Sequence, residues 1–153
     1  MTTRTFVPAR AVGRRTPPCV TSPILVAEDD APPRAMFRLL LEAEGYDVVV
    51  AANGLAALQY ACAIRPSLLI LDLGLPLIDG FEVAISLRAR YGDTLPIILV
   101  TADADARDEA ESIRARSYFH KPIDVDDLLT DVWAIDLQET FWKVDGHRWQ
   151  TGG

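Results

Sequence analysis

The sequence predicts an α/β domain built on a doubly wound, five-stranded parallel sheet with strand order 2-1-3-4-5. Three observations lead there. Short apolar runs such as Ile24–Ala27, Leu68–Leu71 and Ile97–Val100 recur along the chain, and strands of a parallel sheet, buried on both faces, read as uninterrupted apolar runs. Helix-like segments alternate with them, which requires right-handed crossovers and helices on both sides of the sheet. The runs also stop at polar residues of different kinds, Glu28-Asp29, Asp72, Thr101 and Lys121, and ligands of open α/β sheets gather outside the carboxyl ends of the strands.

In chain order, a strand is predicted at about 24–28 and a helix at about 32–44. Pro32-Pro33 suits a helix start, where missing amides cost nothing, and Gly45 suits a left-handed cap at the helix end. A strand at about 47–51 precedes a helix at about 54–64, whose open amides Asn53 can cap. A strand at about 67–72 follows, then a helix at about 80–91, with Asp79-Gly80 as turn and helix-start chemistry. Strands at about 96–101 and 117–120 flank a helix at about 105–115. In the last helix, at about 124–138, Val125, Leu128, Leu129, Val132 and Ile135 form a stripe at helical spacing, the mark of a core face. The order 2-1-3-4-5 sets strands 1 and 3 side by side at the switch point, bringing Glu28 and Asp29 close to Asp72.

With 153 residues, half of them apolar, the chain can bury a core of ordinary size as one domain. Its net charge is -7; because residues 1–22 hold four arginines and no acid, residues 23–153 carry -11. Such an acidic body argues against direct nucleic-acid binding, which uses Lys and Arg to displace phosphate counterions. Cys19 and Cys62 lie far apart, which does not suggest a disulfide framework. No apolar stretch approaches the roughly 20 residues that span a bilayer, and Arg14-Arg15 runs into Pro17-Pro18 rather than a signal core. The expectation is a protein of the cytoplasm without membrane contact. Residues 1–22, rich in Thr, Arg and Pro, read as a flexible basic arm. Residues 139–153 read as a short tail whose Phe141, Trp142 and Trp149 either pack back on the last helix or meet a partner.

Three carboxylates converging at strand ends repel one another unless a cation sits among them or one holds a proton. Oxygen-only ligands in small number favour magnesium, which keeps several waters and often completes its shell with a phosphate. A carboxylate can also accept a phosphoryl group, and Asp72, the single acid closing the central strand, is the natural nucleophile. Lys121 supplies a point charge for a phosphate oxygen, and the Thr101 hydroxyl and nearby amides supply donors. Asp30, Asp103, Asp105, Asp108 and Glu111 read as solvated charges, although a slip of one residue in the first strand would put Asp30 in the place of Glu28. His120 and His147 lack partners at metal spacing and read as structural or exposed.

The segments Ile24-Leu25-Val26-Ala27-Glu28-Asp29, Leu71-Asp72-Leu73-Gly74-Leu75-Pro76-Leu77-Ile78-Asp79-Gly80, Val100-Thr101-Ala102 and Lys121-Pro122 resemble the motifs of the receiver domain of two-component response regulators, over about residues 23–138. The resemblance implies a flavodoxin-like, CheY-like three-layer sandwich. It implies that Asp72 accepts phosphoryl from a sensor histidine kinase or phosphotransfer protein, with Mg2+ held by Asp29, Asp72 and the Gly74 carbonyl directly and by Glu28 through water. Thr101, the Ala102 amide and Lys121 would bind the phosphoryl group, and the Lys121-Pro122 bond would be cis, a form whose cost proline lowers. Thr101 and Tyr118 would be the switch pair, Tyr118 turning inward as Thr101 moves, although Tyr118 also reads as simple core. The signal would be a change at the face of the fourth helix, fifth strand and fifth helix, read by an effector protein or a second copy of the chain.

The sequence departs from that family in three places. The span from Thr101 to Lys121 is short and its helix weak, with apolar residues that are mainly alanines plus Ile113. Arg114-Ala115 stands where a Gly-Ala pair is usual. Gly74, where relatives carry larger side chains, leaves the acceptor open to water or a phosphatase. The expectation is a stand-alone phosphoacceptor, not an enzyme beyond reaction with small phosphoryl donors and its own dephosphorylation. The alternatives are a pseudo-receiver that binds without switching and a receiver piece of a larger regulator with a DNA-binding or enzymatic output. A haloacid-type phosphatase is disfavoured, because Asp72-Leu73-Gly74 lacks the second aspartate such enzymes use as acid and base.

Overall fold

The computed structural model describes residues 22–103 and 105–145, except the side chains of 137–145. The expected arm, apart from Ser22, lies outside the described residues, as do His147, Trp149 and the side chains of Phe141 and Trp142. The elements are β1 (Ile24–Ala27), α1 (Ala31–Ala43), β2 (Val48–Ala51), α2 (Gly54–Ala63), β3 (Leu68–Asp72), α3 (Gly80–Tyr91), β4 (Ile97–Thr101), α4 (Arg107–Ser112), β5 (Ser117–His120) and α5 (Val125–Asp145). The strands form one sheet in the order β2-β1-β3-β4-β5, every pair parallel. The expected doubly wound sheet and its strand order are thus what the chain adopts.

Successive strand residues point to opposite faces, and both faces are apolar here. Leu25, Ala27, Leu69, Leu71, Ile97 and Leu99 join one core with Ala57 and Ala61 of α2 and Val83 and Leu87 of α3. The intervening Val26, Ile70, Ile98 and Val100 are also buried, as are Phe37 and Leu41 of α1. The chain divides into a unit ending at Lys121 and a second beginning at Pro122. In the second, Asp124 accepts the Asp126 amide through its side chain and the Leu128 amide through its carbonyl, starting α5. Leu128, Leu129, Val132 and Ile135 of the expected stripe are buried, and the helix runs to Asp145 rather than to about 138.

The predicted boundaries rest on identifiable hydrogen bonds. Asn53 Oδ1 accepts the Ala56 amide at 2.7 Å and opens α2. Asp79 Oδ1 accepts the Glu82 amide at 3.0 Å and opens α3. At the end of α1, Gly45 has φ +96°, its amide donates to Glu42 O, and the Tyr46 amide donates to Leu41 O, which is the Schellman arrangement.

The fourth helix differs most from expectation, occupying Arg107–Ser112 instead of about 105–115. Its end repeats the Schellman pattern, with Arg114 N–H to Glu111 O and Ala115 N–H to Ala110 O. Here the left-handed residue is Arg114, at φ 55°, where a side chain costs about 1–2 kcal/mol. Two contacts offset that cost. Arg114 Nε meets Asp93 Oδ1 at 2.6 Å. The half-buried Arg88 guanidinium of α3 donates to the carbonyls of Ile113 (2.6 Å), Arg114 (3.0 Å), Leu95 (2.6 Å) and Gly92 (2.8 Å). One cation thereby satisfies carbonyls at the ends of both α3 and α4. Arg88→Met keeps the apolar stem and removes all four bonds; hydrogen bonds to charged groups contribute more than neutral ones, and the expected loss is about 2–4 kcal/mol. The midpoint of urea unfolding measures it.

Candidate phosphoacceptor and metal site

Register alone assembles the site. Ala27 pairs with Leu71, so Glu28 emerges beside Asp72, and Glu28 N–H continues the β1–β2 ladder to Ala51 O at 3.0 Å. Asp72 pairs with Val100, which puts Thr101 one residue beyond. Lys121 N–H donates to Thr101 O at 2.8 Å, bringing Lys121 in from the edge strand. Glu28, Asp29, Asp72, Thr101 and Lys121 therefore meet at one end of the sheet.

Glu28, Asp72 and Thr101 are buried, whereas Asp29 is exposed. One oxygen from each of Glu28, Asp29 and Asp72 can be chosen so that all lie within 4.8 Å of one another. Lys121 Nζ lies 2.7 Å from Glu28 Oε1 and 3.2 Å from Asp72 Oδ2, so the ammonium bridges the two buried acids. Glu28 Oε2 accepts the Asp30 amide and Asp72 Oδ1 accepts the Gly74 amide at 3.0 Å. Three carboxylates facing one ammonium leave two negative charges in excess, which suits a divalent cation; the all-oxygen donor set suits magnesium. Asp29, Asp72 and Glu28 would hold it, and the cation would offset charge on an incoming phosphoryl group.

Burial pushes the Glu28 carboxyl above its ordinary range and the charge of Asp72 adds to this, against the hydrogen bonds from Lys121 and the Asp30 amide. For Lys121, burial works against the charge, but the bond to Glu28 and the charge of Asp72 outweigh it and raise its pKa. A raised carboxyl makes ionised Glu28 a cost to folding, absent below its unfolded pKa and complete above its folded one. A bound cation removes that cost, so cation and proton compete for Glu28 as the pH falls through the raised value.

The remaining predicted residues lie as follows. Thr101 Oγ1 accepts the Asp103 amide at 3.0 Å. Ala102 is exposed next to it, with its carbonyl 3.1 Å from His120 Nε2. Tyr118 is half-buried and packs on the core shared by β3, β4 and α3. Gly74 is exposed, and a Cβ there would meet nothing closer than Asp72 Oδ1 at 3.8 Å. Pro122 opens the second unit. Asp30, Asp103, Asp105, Asp108 and Glu111 are exposed, as expected for solvated charges, and Asp30 contributes its amide to Glu28 rather than replacing it.

Two contributors were not evident in the sequence. Gly80, read as a helix start, also packs on the backbone of Asp72 and Leu73, a contact without local signature. Arg34 donates to the carbonyls of Glu28 and Asp29. Its signal was a cation in the first turn of a helix, where the helix dipole disfavours positive charge.

A strand-end acid triad with a bridging lysine, on a 2-1-3-4-5 parallel sheet, matches one family in sequence as well as geometry. The response regulator receiver domain matches residues 24–132, and the chain belongs to that family. Among curated relatives, Response regulator MprA of Mycobacterium ulcerans is 36% identical over 114 residues, 73% of this chain and 49% of that protein. MprA of Mycobacterium leprae is 35% identical over the same length. The chain thus spans about half the length of the curated relatives it matches. Among solved structures, the response regulator TrrA of Thermotoga maritima, in complex with Mg2+-BeF, is 34% identical with a TM-score of 0.69, covering 75% of this chain and 99% of that one. Chemotaxis protein CheY4 of Vibrio cholerae is 26% identical with a TM-score of 0.69, over 76% and 99%. Among the described residues no helix is long and apolar enough to cross a membrane.

Proposed function

We propose that this chain is a phosphoacceptor of a two-component relay, taking a phosphoryl group from a sensor histidine kinase or phosphotransfer protein onto Asp72 with Mg2+. The observation that carries this is the meeting of Glu28, Asp29 and Asp72 within 4.8 Å with Lys121 bridging two of them. A carboxylate flanked by a metal site and an ammonium is equipped for phosphoryl transfer, which depends on positioning and charge neutralisation. An Asp72 oxygen attacks phosphorus, the P–N bond to the donor's histidine breaks with its electrons going to the imidazole nitrogen, which takes up a proton, and an acyl phosphate remains on Asp72. Thr101, the Ala102 amide and Lys121 hold its oxygens. The solved complex of TrrA with Mg2+-BeF supports the same cofactor here.

The phosphoryl group then shifts the population between two conformations, Thr101 and Tyr118 moving together and altering the surface of α4 and β5 that an effector protein or a second copy reads. No metabolite is turned over. A cytoplasmic location follows from the kinase partner. The test is incubation of the purified chain with Mg2+ and acetyl phosphate, followed by mass spectrometry. Uptake of one phosphoryl group, abolished by a chelator, is expected; equal uptake without Mg2+ overturns the reading. A second reading, a receiver within a larger regulator, is favoured by the length of the relatives, and gene-length sequence decides it.

A further inference from the structure

We infer that Arg34 is a positioning residue for the divalent cation, clasping the backbone that carries two of its ligands; this rests on the metal site proposed above. The Arg34 Nη1 atom donates to Glu28 O at 3.0 Å and to Asp29 O at 3.1 Å. Asp30 is the N-cap of α1, so the carbonyls of Glu28 and Asp29 precede the helix and lie outside its i to i+4 ladder. The first helical amide to close on this turn is Arg34's own, to Asp30 O at 3.1 Å. The guanidinium therefore ties the two carbonyls that precede the helix to its first turn.

What it holds is the peptide from which the Glu28 and Asp29 side chains diverge, one buried toward Lys121 and one exposed. Released from the clasp, that turn has many conformations in which the two carboxylates no longer point at Asp72. The location is also costly for a cation, since both the start of α1 and a neighbouring Mg2+ repel positive charge. Position and charge thus make opposite predictions. If Arg34 were only a nearby charge, its removal would tighten Mg2+ binding. As a clasp, its removal weakens it, and groups that orient metal ligands typically account for 10–100-fold in affinity.

The experiment is calorimetric titration of the full chain with Mg2+ alone, for wild type, Arg34→Met and the second neutral variant Arg34→Gln, beside thermal unfolding without Mg2+. Affinity about tenfold weaker in Arg34→Met, with faster amide exchange at residues 28–30, is the expected result, and partial recovery in Arg34→Lys supports the clasp. Equal or tighter binding in the neutral variants overturns it; where Arg34→Met does not fold, Arg34→Gln decides by the same sign. Absence of Mg2+ binding in wild type overturns the metal site itself, and the inference with it.

Discussion

Asp72→Asn is expected to abolish phosphoryl uptake while leaving the fold intact. The amide is nearly isosteric with the carboxylate, and its oxygen can keep the bond that Asp72 Oδ1 accepts from the Gly74 amide. Lys121 keeps its shorter contact, at 2.7 Å to Glu28. What disappears is the nucleophilic oxygen and one negative charge beside Glu28. Because Asp72 helps raise the Glu28 carboxyl, its neutralisation eases a repulsion, and without Mg2+ the variant should unfold no earlier than wild type. Mg2+ affinity falls, since a ligand has lost its charge. Mass spectrometry after treatment with acetyl phosphate, alongside thermal unfolding with and without Mg2+, checks all three expectations. Undiminished incorporation in this variant would place the acceptor elsewhere.

Gly80→Ala should be the most destabilising small substitution at the site. A methyl group at Gly80 would overlap the Asp72 carbonyl oxygen and lie 2.6 Å from Leu73 Cα, both of them backbone atoms that cannot rotate away. Overpacking typically costs 1–3 kcal/mol, and rigid neighbours on the last residue of a central strand put this case at about 3 kcal/mol or more. The gain of alanine over glycine in a helix, about 0.5–1 kcal/mol, does not reverse the sign. Any relaxation moves Asp72, so phosphoryl uptake falls along with stability. Gly74→Ala is the control: its Cβ meets Asp72 Oδ1 only at 3.8 Å, ordinary contact, and stability should stay within about 0.5 kcal/mol. Urea unfolding of both variants gives the comparison.

The caps show how far local reading reaches. Asn53, Asp79 and Gly45 act within a few residues of their own position, and all three are legible as helix boundaries from local sequence. The fourth helix is shorter than its local sequence suggests because its end depends on Arg88, which reaches carbonyls 25 and 26 residues away. Arg114 adopts a left-handed backbone that its identity does not advertise, tolerated because Asp93 and Arg88 offset it. The acid triad was visible because each member closes an apolar run, and a parallel register converts that ending into proximity.

By itself the sequence determined the βα alternation, the strand order, the acid triad with Thr101 and Lys121, and the receiver family, since each is encoded in local periodicity or in residues at strand ends. Only the tertiary structure decided that Lys121 sits closer to Glu28 than to Asp72, that Gly80 lies against the acceptor's backbone, and that Arg34 and Arg88 donate to backbone carbonyls at element ends. The physical reason is that periodicity and capping act over a few residues, whereas the partner of a charge or the space around a glycine is set by chain segments distant in sequence and adjacent only after folding.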